Sequence, residues 1–178
     1  MRVGSDLSVA YNKIGDAQKM QGELEAALKS YSDSLGIEER LVKSDPGNAE
    51  WQYGLGISNE RVGNVQLAQG NLSAALKSYE AQHEIISRLA QSDPGNAKWQ
   101  RDLSVSFAKL ADVHKQSGDK ARARDYLRQG QTIMARLTKL SPENAQWKSD
   151  LAWFDSEIVK LERDTANVRS SPRRSKHR

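Results

Sequence analysis

Three histidines are the side chains in this sequence that could move a proton or bind a metal near neutral pH. They are His83, His114 and His177, about thirty or more residues apart, and none belongs to a His-Glu helix motif of the zinc-protease type. The chain has no cysteine, so thiolate catalysis and cysteine-based metal sites are excluded. No glycine-rich phosphate loop occurs, and no motif places a base beside a serine. These patterns predict a protein that is not an enzyme, with no catalytic residue, metal or cofactor.

Four tryptophans, which could stack on nucleic-acid bases, are better explained by helix packing. Trp51, Trp99 and Trp147 recur at a constant interval, and Trp153 follows shortly after the third. We therefore expect the tryptophans to pack one pair of helices onto the next. We also expect His114 to be a core residue and His83 to lie on the outer side of its helix.

The interval between the tryptophans organises the whole chain as a repeat with a period of 48. SDPGNAEWQ at 44–52 returns as SDPGNAKWQ at 92–100 and as LSPENAQWK at 140–148. Between these segments the apolar residues follow a helical period, Gly70 suits a tight turn, and Asn96 suits a helix N-cap. The pattern predicts seven antiparallel helices near residues 2–20, 23–43, 48–68, 71–91, 96–116, 119–139 and 144–163.

Residues at fixed positions in each repeat resemble the tetratricopeptide (TPR) signature. They are Tyr11, Ile14, Gly15, Ala27 and Tyr31 in the first repeat, Val62, Gly63, Ala75 and Tyr79 in the second, and Phe107, Leu110, Ala111, Ala123 and Leu127 in the third. The repeat is longer than the usual repeat of the family, and is similar to long-helix arrays in bacterial signalling proteins. The resemblance implies an all-α, right-handed α-α solenoid of three helical hairpins plus a C-terminal capping helix.

The predicted domain covers residues 1–163, with repeats at about 1–45, 46–93 and 94–141 and a cap helix at 144–163. Residues 164–178 are predicted to form a disordered basic tail with five basic residues and one acidic residue. The remaining chain has 22 basic and 22 acidic residues, so it has no basic surface suited to a duplex. Nucleic acid is therefore expected to bind weakly at most, and through the tail.

The resemblance also implies a concave groove lined by the first helix of each hairpin. Carried over by position, the groove residues are Val9, Asn12, Lys13, Asp16, Ile57, Glu60, Arg61, Asn64, Val105, Lys109 and Asp112. A cation recurs at Lys13, Arg61 and Lys109. One interpretation pairs each cation with the residue three positions later on a solvated helix. The other is a ladder of cations above apolar residues, which would hold an acidic peptide or protein segment.

The leading functional hypothesis is an adaptor that binds a peptide or protein segment in this groove. The alternative is a structural or self-assembling segment of a larger array or homo-oligomer. In the repeat register Val3 stands where Trp51 stands, so the chain begins inside a helix. Either an array extends upstream, or the outer face of the first helix is available to a partner. The sequence has no membrane span or signal peptide, and a cytoplasmic location is expected.

Overall fold

Seven α-helices follow one another in a computed structural model that describes residues 2–170, with side chains described from 4 to 164. No strand occurs within those residues. The helices are α1 (Arg2–Met20), α2 (Leu24–Ser44), α3 (Ala49–Ala68), α4 (Leu72–Ser92), α5 (Ala97–Gln116), α6 (Lys120–Leu140) and α7 (Ala145–Ser170). Within 2–170, no helix has both the length and the hydropathy that crossing a bilayer requires.

Side-chain caps define where most of these helices begin. Asn48, Asn96 and Asn144 each accept a hydrogen bond from the backbone N–H of the tryptophan three residues later, at 3.1, 3.2 and 3.1 Å. Asn71 and Asp119 cap α4 and α6 in the same way. Each cap satisfies a backbone donor that the first helical turn leaves free. The predicted N-cap at Asn96 is confirmed.

A glycine with positive φ follows the first helix of each of the three hairpins. Gly22, Gly70 and Gly118 have φ angles of 80°, 76° and 85°, a region that residues with a Cβ atom rarely adopt. The tight turn predicted at Gly70 is therefore confirmed. Because these turns take only a few residues, each first helix (α1, α3, α5) reverses directly into a second helix (α2, α4, α6).

The helices pack in chain order, each against the one before and the one after it. The predicted all-α solenoid of three hairpins and one further helix is confirmed. Within a hairpin the close approach depends on glycine. A Cβ atom at Gly15 would lie 2.6 Å from Tyr31 Cε1, and one at Gly63 would lie 2.8 Å from Tyr79 Cε1. The small residue thus makes room for the tyrosine ring of the second helix.

Where helix α7 packs on α6, the glycine lies on the second helix, α6, and the large aromatic residue lies on α7. Phe154 is 3% exposed and stands where α3 and α5 have Ser58 and Ser106. Its ring occupies the space in which a Cβ atom of Gly130 would lie. The large residue is accommodated because α6 has a glycine opposite it.

The helix ends agree with the sequence-based bounds within one residue except at the C-terminus. α7 continues to Ser170, well beyond the end predicted at 163, so residues 164–170 are helical and not disordered. The segment DTANVRS contains no helix breaker, whereas Ser171 precedes Pro172 and is disfavoured in a helix. The rest of the predicted basic tail, 171–178, lies outside the described residues.

Candidate partner-binding groove

The first helices α1, α3, α5 and α7 contact one another along one side of the solenoid, which we call the first-helix face. Equivalent positions on these helices carry Val9, Ile57, Val105 and Trp153. Val9 is 48% exposed and Trp153 is 46% exposed, while Ile57 and Val105 are half-buried. The four side chains form an apolar row, one from each of these four helices.

Trp153 belongs to this row, contrary to the expectation that it packs between helices. It lines a cleft between α5 and α7 together with Val105, Ala108 and Phe154. Its ring meets that of Phe154 edge-on, with 5.0 Å between the centroids. The sequence carried a signal for this position, since Trp153 is the counterpart of Val105 one repeat later. Trp51, Trp99 and Trp147 are half-buried, and the last two pack against apolar clusters of the core as predicted.

Polar side chains join α1 to α3 beside the apolar row. Arg61 on α3 forms a salt bridge with Asp16 on α1. Asp16 also accepts a hydrogen bond of 2.7 Å from the Tyr31 hydroxyl, and the Arg61 guanidinium lies 5.6 Å from the centre of the Tyr31 ring. Burial and the bond to Asp16 raise the pKa of Tyr31 to about 12. This three-residue contact, which we call a clasp, ties the first repeat to the second.

An equivalent clasp joins α3 to α5. Lys109 Nζ donates to Asn64 Oδ1 at 2.7 Å and lies 3.6 Å from a carboxylate oxygen of Glu60. The Tyr79 hydroxyl donates to the same Asn64 atom at 2.9 Å, and the Lys109 ammonium is 5.9 Å from the centre of the Tyr79 ring. Glu60 also accepts a hydrogen bond from Gln82 at 3.1 Å. The same three positions therefore form a clasp in both repeats.

The charges change sign where α7 meets α5. Glu157 stands at the position of Arg61 and Lys109, and accepts a hydrogen bond of 3.1 Å from Lys115, which is also 3.6 Å from Asp112. The pKa of Glu157 is lowered, first by the hydrogen bond from Lys160 and then, against the opposing effect of burial, by Lys115. Asp112, Lys115 and Glu157 line a second part of the α5/α7 cleft with Trp153.

A second series of polar contacts crosses the same helices nearer their N-termini. The Tyr53 hydroxyl donates to Asp102 at 3.0 Å, and Arg101 Nε donates to Asp150 at 2.7 Å. Burial, followed by the nearby Asp102 charge, raises the pKa of Tyr53. Each contact joins one repeat to the next, so both series link consecutive repeats.

For Arg61 and Lys109, the structure does not show the predicted pairing with the residue three positions later. Arg61 and Lys109 contact the preceding repeat, 45 residues back, and the pairing with residues 64 and 112 is not observed for them. Lys13 is exposed and has no ionic partner among the described residues. The predicted groove residues contain three cations and three carboxylates, the latter being Asp16, Glu60 and Asp112. These groove residues therefore have no net charge. Lys13 on α1 is the cation among them that lacks an ionic partner within the described residues.

Asn12 completes the predicted set and lies half-buried on α1. Its Oδ1 atom is buried and has no hydrogen-bond partner among the described residues. The amide that the sequence placed in the groove is therefore largely withdrawn from solvent.

The histidines have structural contacts. His114 is 6% exposed and stacks on Tyr126 at 5.5 Å between ring centres, so its predicted place in the core is confirmed. The prediction for His83 was wrong, because this half-buried side chain faces α5. It is 2.8 Å from Ser106 Oγ and 4.6 Å from the Phe107 ring centre, and burial lowers its pKa. Among the described residues, no group of histidine and acidic side chains is arranged to hold a metal ion.

No protein-family model and no curated protein matches the sequence. Similar solved structures include the N-terminal domain of stress-induced protein-1 (STI-1) from C. elegans, with a TM-score of 0.53, 10% identity, and coverage of 85% of this chain and 97% of that domain. The designed helical repeat protein DHR64 has a TM-score of 0.44 and 14% identity, covering 96% and 84%. The MamA protein has a TM-score of 0.33 and 14% identity, covering 94% and 98%. The chain has a tetratricopeptide-like helical repeat fold.

Proposed function

We propose that this protein is an interaction module that holds a segment of another protein along its first-helix face. The observation that carries the proposal is the apolar row, which ends in the half-exposed Trp153 beside the α5/α7 cleft. Large aromatic side chains that stay exposed beside a cleft are typical anchors of protein interfaces. The clasps favour such a role because they hold the row in place before a partner arrives, which reduces the entropy lost on binding.

The charges of the first-helix face favour a bound segment that is apolar at one end and acidic at the other. Near α7 the cleft offers apolar contact with Trp153 and Val105, which suits an aromatic or aliphatic side chain. Near α1 the unpaired Lys13 suits an acidic residue. Arg61 and Lys109 are engaged in clasps, with side chains 30% and 29% exposed, so they add little attraction of their own. An acidic residue at one end is therefore sufficient, and a uniformly acidic partner is not required.

The proposal can be tested by selecting short displayed peptides on the purified protein. We expect selected peptides to combine one large apolar residue with an acidic residue, to bind with micromolar dissociation constants, and to weaken with salt at the acidic end. Two substitutions separate the ends of the site. Trp153→Ala should weaken binding about tenfold or more, whereas Lys13→Glu should weaken it severalfold and remove its salt dependence.

Each substitution has a matched control on another surface. Lys77 is exposed on the second helix α4, so Lys77→Glu changes the net charge equally without touching the first-helix face. Leu140 is 73% exposed at the end of α6, so Leu140→Ala removes a comparable exposed apolar side chain. The proposal fails if peptides bind the Trp153→Ala and Lys13→Glu proteins as tightly as the controls. Thermal melts of all four variants verify that folding is retained.

Self-assembly is the second candidate function, and it depends on a different surface. Leu7 and Ile14 on α1 are 49% and 48% exposed, and the helical spacing places them on another side of α1 from Val9. A homo-oligomer formed there would leave the first-helix face open. The mass of the protein in solution, measured over a concentration series, distinguishes this candidate from an adaptor that acts as a monomer.

A further inference from the structure

One side of α1 carries a continuous uncharged stripe, which we call the α1 stripe. It consists of Leu7, Ala10, Tyr11, Ile14 and Ala17, spaced as expected for one face of a helix. Leu7 and Ile14 are each about half exposed, and both alanines are exposed. No charged residue interrupts the stripe. Apolar helical faces of this kind are normally buried against another element.

Residues equivalent to Ile14 and Ala17 of the α1 stripe are buried on the other first helices. The counterparts of Ile14 are Val62, Leu110 and Ile158, which are 5%, 1% and 8% exposed. The counterparts of Ala17 are 0%, 2% and 3% exposed, and they are Val65, Val113 and Leu161. The same position is therefore covered three times out of four, and it is open only on α1.

In each covered case the neighbour is the second helix of the preceding hairpin. Val62 and Val65 of α3 pack with Ala27 and Tyr31 of α2. Leu110 and Val113 of α5 pack with Ala75 and Tyr79 of α4, and Ile158 and Leu161 of α7 pack with Leu127 and Met134 of α6. The α1 stripe thus repeats the surface that α3, α5 and α7 bury against a second helix, and no second helix covers it within the described residues.

We propose that the α1 stripe binds an amphipathic helix of a partner protein, and that this helix takes the place of a second helix in the stack. Its contacting residues should follow the spacing of α4, with a small residue, an aromatic residue four positions later, and aliphatic residues two and three turns after the aromatic residue. This proposal concerns a surface separate from the first-helix face and does not depend on the function proposed for that face.

The chemistry of the stripe specifies an apolar contact. Ser58 and Ser106 each make a hydrogen bond to the preceding second helix, through Ser34 at 3.3 Å and His83 at 2.8 Å. On α1 that position is Ala10, so a partner helix needs no polar residue opposite it. Asp155 of α7 accepts a hydrogen bond from Gln131, and its counterpart in the stripe is the uncharged Tyr11. An uncharged surface of this kind favours the apolar side of a helix over a charged segment.

A second copy of this chain, which the self-assembly alternative would place on α1, fits the stripe less well through its second helices or through α7. Each of its second helices, α2, α4 and α6, already lies between two first helices, so no second helix is free within the described residues. The exposed face at the other end belongs to α7, a first helix, which carries Lys148 and Lys160 as well as Val159. Burying these charged side chains against the α1 stripe would cost desolvation energy that no partner charge on the stripe returns.

The test uses the helix that covers the equivalent positions of α5, as a fluorescein-labelled peptide of residues 70–94 that reproduces α4. A hydrocarbon staple joins positions 80 and 84, which are both exposed in the fold, because isolated helices of this length are marginally stable in water. Fluorescence anisotropy with the full-length protein should give saturable binding in the micromolar range. A control peptide with Tyr79→Glu and Ile86→Glu should bind at least tenfold more weakly.

Variants of the protein locate the binding surface. Ile14→Glu, and separately the milder Leu7→Ser, should weaken binding of the α4 peptide at least tenfold and severalfold, respectively. Val159→Glu places the same charge on another exposed apolar residue, 43% exposed on α7, and should leave binding unchanged. Trp153→Ala should also leave it unchanged, because Trp153 belongs to the first-helix face.

Two results would overturn the proposal. The first is binding of the α4 peptide that is absent or insensitive to both Ile14→Glu and Leu7→Ser. The second is a wild-type dimer in sedimentation experiments that Ile14→Glu converts to a monomer, since the stripe would then belong to a second copy. A monomeric protein that binds the peptide through the stripe supports the assignment.

Discussion

A buried carboxylate in the first repeat occupies a position that is apolar in the others. Glu38 is 5% exposed, and its counterparts Ile86 and Met134 are fully buried. It accepts a hydrogen bond from the Ser8 hydroxyl and lies against Gly54, where an added Cβ atom would be 2.8 Å from its Oε2 atom. Burial raises the pKa of Glu38, the Ser8 hydrogen bond opposes that shift, and the nearby Glu50 adds to it.

The Glu38→Gln substitution should therefore stabilise the protein near neutral pH. The fold raises the pKa above the ordinary value of 4.5, so the native state favours the protonated carboxyl. The stability that this preference contributes is complete below pH 4.5 and is lost as the pH rises through the folded-state pKa. We expect Glu38→Gln to raise the Tm by a few degrees at pH 7 and to change it little at pH 4.

Circular-dichroism melts between pH 4 and pH 8 measure this difference. Glu39→Gln is the control, because Glu39 is the exposed neighbour of Glu38 on the same helix. It removes the same formal charge without entering the core. A lower Tm for Glu38→Gln than for wild type at pH 7 would show that the carboxylate itself is needed there, against the argument from burial.

The individual side-chain contacts of the groove residues could not be predicted from the sequence. The repeat predicted that Lys13, Arg61 and Lys109 are equivalent, but equivalence does not identify contacts. Arg61 reaches Asp16 because the side chain extends about one helical turn across to the preceding first helix, so the two residues are offset from an exact repeat. Such offsets depend on how neighbouring helices are placed and on side-chain rotamers, and neither is encoded in a repeat alignment.

At the scale of helices, the contact between α6 and α7 shows how two positions change together. Gly130 on α6 has a serine or glutamine as its counterpart, Ser34 or Gln82, and Phe154 on α7 replaces a serine or alanine. The ring of Phe154 fills the space above Gly130. A repeat alignment compares each residue only with its own position in the other repeats, so it does not pair Phe154 with the glycine on the neighbouring helix.

The Gly130→Ala substitution should reverse the usual effect of replacing glycine in a helix. In an open helical position alanine is more stable than glycine by roughly 1 kcal/mol. Here the added methyl group would overlap the Phe154 ring and lie 3.2 Å from the Ser104 carbonyl oxygen, so we expect a loss of about 1–3 kcal/mol. Urea unfolding measures the change in the free energy of unfolding.

Gly36→Ala provides the matched control in α2. The nearest atom to a Cβ at Gly36 is 4.0 Å away, so this substitution should stabilise the protein or leave it unchanged. In a Phe154→Ser background, Gly130→Ala should cost less than it does in wild type, because the ring is gone. An equal cost in both backgrounds would show that the α6–α7 contact does not cause the loss.

Over the whole molecule, stability should fall toward the first helix. α1 packs chiefly on α2, and its stripe is uncovered, whereas α3, α4 and α5 each lie between two helices. We expect amide hydrogen exchange to be slowest in α3–α5 and several times faster in α1. Mass-spectrometric exchange at neutral pH resolves the helices by peptide. Protection of α1 equal to that of α4 would contradict this gradient.

The overall architecture was the most predictable level. Three copies of one segment established the period, and asparagines and glycines at the helix ends placed the boundaries within a residue. Seven helices and their order followed from these local signals. The end of α7 differs from the predicted bound because a basic composition after 164 indicates disorder, whereas no residue before Pro172 stops a helix.

The packing of each helix on its neighbours in the chain has a consequence for how the protein acquires its structure. Loop-closure entropy rises with the length of chain between contacting residues, and here helices contact chiefly the helices next to them in the chain. Low contact order of this kind accompanies fast folding, and a repeat array can nucleate in any hairpin and grow from there. During synthesis, α1 and α2 can therefore pair before α5 has left the ribosome, and each later hairpin folds against a template already in place.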